Sequence, residues 1–125
     1  MARAGDNYEV EIKLSHIDWG RHRYTNTRDK IAGEAYVKIP KDVAVDFDIR
    51  VGDTFTAHFS DGFESFTARA AGNTVAGSVY AKQFQGDGDL KAFGRWYAHV
   101  GAEVGDKVLV EFLSPDNVQF TLIKF

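Results

Sequence analysis

The chain contains no cysteine, which excludes disulfides, thiolate metal sites and thiol nucleophiles together and suits a reducing compartment. Long apolar runs are missing too. No window approaches the roughly 18 uninterrupted apolar residues of a membrane span, and the first residues form no signal-peptide core. The expectation is a soluble cytoplasmic protein. Neither a phosphate-cradling GxxxxGK nor a GxGxxG opening a helix is present, and no strand-turn-helix elbow presents a nucleophilic serine. Excess positive charge is also lacking: the net charge is −3, too acidic for a chain that coats nucleic acid by bulk charge.

What is present is a β-rich composition. Of 125 residues, 44% are apolar and ten are phenylalanine, enough for one domain with a real core, spanning 1–125, and too little for two. Tyr8, Val10, Ile12 and Leu14 alternate with charged residues and predict a strand. Ala35, Val37 and Ile39 predict another, ended by Pro40, after which KDVAVDF reads as a short helix with Asp42 well placed against its dipole.

Val-Gly-Asp followed by an alternating strand occurs twice, at Val51 and Val104, 53 positions apart. In the first copy VGDTFTAHF and FESFTARA flank Ser60-Asp61-Gly62, a hairpin signal. In the second, VGDKVLVEF and VQFTLIKF flank Ser114-Pro115-Asp116-Asn117, where Pro115 presets a type I turn. Each copy follows a segment able to form a helical turn, KDVAVDFDIR or GRWYAHVGAE. Two units that cannot bury their apolar faces alone can do so against each other about an approximate two-fold axis, giving a closed or nearly closed β-barrel. Between them Val79 to Phe84 reads as a further strand and Gly86-Asp87-Gly88-Asp89 as a turn.

Charge is unevenly distributed. Residues 19–30 hold four basic residues against one acidic and residues 68–96 four against two, whereas residues 42–67 hold one against six. The two basic stretches coincide with segments of weak periodicity, residues 18–33 and 70–94, which read as arms. The first offers Arg21, Arg23, Tyr24, Asn26 and Arg28; the second offers Asn73, Lys82, Gln83, Gln85 and Lys91, with Arg69 on the strand leading into it. Arginine can bond guanine in bidentate fashion and asparagine or glutamine can bond adenine, while lysine and tyrosine suit phosphates. The same residues are also those of ordinary solvated loops. Placed on one face, two such arms would grip a duplex from both sides.

Other chemistry is weaker. Glu11-x-Lys13 has the spacing of part of many nuclease motifs, yet an alternating strand shows the same pair on its wet face; a metal-dependent nuclease stays as an alternative. Asp87 and Asp89 lack the later ligands of a calcium loop. His16, His22, His58 and His99 form no short ligand pair, and Ser15, His16 and Asp18 are too close in sequence for a triad. No catalytic residue, metal ligand or cofactor is assigned. A second alternative is a nonenzymatic barrel holding a small molecule or protein against Tyr80, Phe84, Phe93 and Trp96.

GEAYVKIPKDVA, residues 33–44, and GRWYAHVGAEVGDKVLVEF, residues 94–112, resemble two segments of the DNA-binding pseudobarrel superfamily: a glycine, apolar strand and Pro-Lys-x-x-Ala helix opening, then a glycine-tryptophan segment, short helix, Gly-Asp and valine-rich strand. That superfamily includes the DNA-binding domains of plant auxin- and abscisic-acid-response transcription factors and the recognition domains of some type II restriction endonucleases. The Gly33-to-Pro40 spacing and Arg95 between Gly94 and Trp96 favour the bacterial group. The resemblance implies a mainly β fold with short helices, a seven- or eight-stranded open pseudobarrel. It also implies double-stranded DNA as partner, arms that enter the major groove, and association with a nuclease or regulatory domain.

Overall fold

The structure is a computed structural model that describes residues 2–13, 35–72 and 79–124. Among the described residues seven strands and two helices follow in chain order: β1 (Asn7–Glu11), β2 (Val37–Lys38), α1 (Lys41–Asp46), β3 (Thr54–Phe59), β4 (Phe66–Ala71), β5 (Gln83–Gly86), α2 (Ala92–Val100), β6 (Lys107–Ser114) and β7 (Asn117–Ile123). They form one sheet in the order β1-β6-β7-β3-β4-β5-β2, which curls into a nearly closed barrel with an open seam between β1 and β2. The Tyr8 hydroxyl spans that seam, donating to the Lys38 carbonyl at 2.9 Å. Every pairing is antiparallel except β3 with β7, where the two expected hairpins lie side by side.

Strand alternation sends one set of side chains inward. Phe55, Phe59, Phe84, Phe112 and Phe120 meet there, and α2 adds Phe93 and Trp96 at spacing that keeps both on one helical face. Rings pack mostly edge-to-face, as their quadrupoles favour: Phe93 on Phe120 at 5.1 Å and Phe55 on Phe84 at 5.4 Å between centroids. Trp96 is fully buried, and its indole nitrogen donates to Asp61 Oδ2 at 2.9 Å. The core is thereby sealed at one end by α2. At the other end α1 inserts Ala44, and Phe47 just after the helix lies edge-on to Phe112 at 5.8 Å.

The recurring Gly-Asp is a turn. Gly52 and Gly105 have φ of 98° and 99°, a backbone region that side-chain-bearing residues avoid. The following aspartate turns its carboxylate back to the amide three residues earlier: Asp53 to Arg50 N at 3.0 Å, Asp106 to Glu103 N at 2.9 Å. A third copy precedes β1, where Gly5 has φ of 95° and Asp6 accepts from Arg3 N at 2.8 Å. The same device thus starts three strands.

Three elements differ from their expected bounds. The strand expected over residues 35–39 is laddered only at Val37 and Lys38, because it ends the sheet and pairs with the short β5 alone; Ala35 N to Leu90 O and Ile39 N to Lys82 O extend the contact. The strand expected from Val79 begins at Gln83, because residues 79–81 first bond the Ile49–Val51 turn through Val51 N to Val79 O and Ala81 N to Ile49 O. The β3–β4 connection is longer than a tight turn, since Phe63 folds back onto Phe59 at 5.5 Å. By contrast β6 and β7 are joined by Pro115-Asp116 as expected, with a bulge beside Leu113 that turns it outward.

Candidate nucleic-acid interface

The outward set of side chains divides the barrel into two walls. On β3, β4, β5 and β2 these are Thr54, Thr56, His58, Thr67, Arg69, Ala71, Gln83, Gln85 and Lys38, without a carboxylate among them. Register places them in rows: Thr54 beside Arg69 beside Gln85, and Ala71 beside Gln83 beside Lys38. Gln83 Nε2 donates to Gln85 Oε1 at 3.0 Å, which ties the two amides together along β5. Lys82 is exposed immediately before β5, its backbone fixed by Lys82 N to Ala71 O.

Arg69, Lys82, Gln83 and Gln85 are therefore brought together. Lys91 is not. It sits at the N-terminus of α2, at the opposite end of the wall, where its amide bonds Asp89 Oδ1. There Arg95 Nη2 grips Asp89 Oδ2 at 2.5 Å, and this hydrogen bond holds the Asp89 carboxyl below the usual range. Asp87 and Asp89 form the expected turn, tied by Asp89 N to Gly86 O. Arg21, Arg23, Tyr24, Asn26, Arg28 and Asn73 lie outside the described residues.

The residues flanking those two segments are described. Lys13 and Ala35 lie at the end of the barrel that holds α2; Gly72 and Val79 lie at the end that holds α1. The wall between these ends is the length of β4, about 20 Å at the usual rise per residue. Sequence reading missed Lys38, Thr54, Thr56 and Thr67, although the absence of Asp and Glu from every outward position of TFTAHF, FTARA and QFQ was there to be read.

The alternatives find less. Phe84, Phe93 and Trp96 are each 0% exposed and fill the core, so the pocket imagined around them is solid packing. A cavity of about 220 Å³ beside Phe47, Phe55 and Asp53 lies elsewhere. Glu11 pairs with Lys13 on the exposed end of β1, and that hydrogen bond lowers the Glu11 pKa. His58 is held by Asn117 Oδ1 at 2.9 Å and Ser65 Oγ at 3.3 Å. Among the described residues no three His, Asp or Glu gather as metal ligands, and no helix is long and apolar enough to cross a membrane.

No family model and no curated protein sequence matches the chain. Among solved structures it is similar to the N-terminal domain of LlaJI.R1 from Helicobacter pylori, with a TM-score of 0.56 at 10% identity over 94% of this chain and 87% of that one. It is also similar to FUS3 of Arabidopsis, solved as a complex with DNA, with a TM-score of 0.54 at 18% identity over 94% and 95% of the two chains. The chain has the pseudobarrel fold of the superfamily that its segments 33–44 and 94–112 resemble.

Proposed function

We propose that the chain binds double-stranded DNA with a sequence preference, as the recognition part of a restriction or regulatory system and without catalysis of its own. The observation that carries this reading is the carboxylate-free wall of Arg69, Gln83, Gln85, Lys38 and Lys82, set between the attachment points of the two donor-rich segments. A phosphate backbone laid on that wall meets hydroxyls, amides and cations and no opposing charge. Arg21, Arg23, Asn26 and Arg28 on one side and Asn73 on the other then supply the planar donors that read base edges. The solved neighbours support the same reading, one of them having been captured on DNA.

Selection from a random duplex library by gel shift, at stated salt, tests it. Enrichment of a short common sequence is expected. Binding without enrichment would remove the sequence preference, and no binding at low salt would remove the reading altogether.

A further inference from the structure

The second wall, on β1, β6 and β7, differs in carrying carboxylates, beside Lys107 and a few apolar residues. Its outward residues include Glu9 and Glu11 on β1 and Glu111 on β6. Register puts Glu9 opposite Leu109 and Glu111 opposite Asn7, so the two carboxylates lie diagonally across one strand pair. Glu11 is offset by Lys13 and faces Lys107. Glu9 and Glu111 have no ion pair among the described residues. We infer that Glu9 and Glu111 make this wall an exclusion face, which fixes the side of the barrel that meets DNA and thereby sets the ratio of preferred to unspecific binding.

The inference rests on the DNA-binding reading above, and it follows from distance. Strand order places β1 across the core from β4 and β6 across from β5. Seven strands about 4.8 Å apart close to a backbone diameter of about 14 Å, and side chains projecting from both faces put Glu9 and Glu111 on the order of 20 Å from Arg69 and Gln85, with Lys38 alone lying beside β1 across the seam. That exceeds twice the screening length of about 8 Å at physiological salt. Glu9 and Glu111 therefore barely weaken a duplex held on the far wall. A duplex approaching their own wall meets them at contact distance, beside Gln119, Thr121 and Asn7, which would otherwise serve phosphates well. Repulsion built against the wrong docking mode raises specificity without adding an attractive contact.

The test compares E9Q/E111Q with the parent and with D42N/D46N, which removes the same charge from the exposed face of α1. Each is titrated against the selected and a scrambled duplex at low and moderate salt, with circular dichroism to check the fold. For E9Q/E111Q, scrambled-duplex affinity should rise about threefold or more at low salt while selected-duplex affinity hardly moves, and the difference should shrink with salt. D42N/D46N should keep the parent ratio. An unchanged ratio in E9Q/E111Q, or an equal loss of ratio in D42N/D46N, overturns the exclusion face while leaving the binding reading intact. Failure of the parent to bind any duplex overturns both.

Discussion

Trp96 shows how far a single residue can be read. Sequence alone leaves it between a ligand pocket and the core, and burial decides for the core, with Asp61 receiving its indole N–H. Trp96→Ala should destabilise the fold by about 3–5 kcal/mol in denaturant titration; a loss of DNA binding at unchanged stability would contradict its place in the core. Tyr8 and Tyr97 were less legible, because nothing local in sequence shows that their hydroxyls reach the carbonyls of Lys38 and Tyr36. Burial pushes both phenols above their ordinary pKa. A raised folded pKa means that stability is fully present below about pH 10, where unfolded tyrosine titrates, and falls above it by about 1.4 kcal/mol per pH unit for each phenol. Alkaline denaturation midpoints should show this decline, and Y8F should make it shallower. In the first arm, replacing a base-reading arginine among Arg21, Arg23 and Arg28 should cost about 1–3 kcal/mol on the selected duplex and little on a scrambled one. Lys82→Ala should weaken both duplexes alike, and Lys91→Ala, at the far end of the wall, should do so less. If all three arginine variants bind both duplexes as the parent does, that arm does not touch DNA.

Among elements, the Gly-Asp turns carry the clearest link from sequence to structure. Two copies were visible as a repeat, and the third, at Gly5-Asp6, was hidden because Ala4 replaces valine before it. All three glycines point their missing side chains into open space, so substitution strains only the backbone. Gly52→Ala and Gly105→Ala should each cost about 1–2 kcal/mol by thermal or chemical denaturation. Asp106→Ala should cost more than Asp53→Ala, since Asp106 is 2% exposed and also holds Lys124 Nζ at 2.7 Å; equal losses would place the whole effect in the turn. The paired strands of both hairpins, α1 and the Pro115 turn could be read from alternation and turn chemistry, whereas α2 was legible only as a helical turn from Gly94 and in fact starts at Ala92. The true extents of β2 and β5 could not, because they depend on which partner strand arrives, a fact of the closed sheet with no counterpart in the local sequence.

At the scale of the whole molecule, the sequence showed that charge was uneven, and the barrel shows where it goes. Outward alternation on four neighbouring strands collects Lys38, Arg69, Gln83 and Gln85, while three others carry Glu9, Glu11 and Glu111. The acidic stretch 42–67 resolves differently: Asp53 is consumed by its turn and Asp48 pairs with Arg50 at 2.8 Å, while the strand β3 inside that stretch faces outward with threonines. A net charge of −3 thus conceals a molecule with a polar-cationic side. The measurement that bears most directly on its proposed role is the affinity for the selected duplex across a salt series, followed by fluorescence anisotropy. A linear fall of log K with log salt is expected, with a slope of about −0.9 for each phosphate neutralised and shallower by about one unit in Arg69→Ala. Affinity independent of salt, or a slope that Arg69→Ala leaves unchanged, would contradict a duplex lying on this wall.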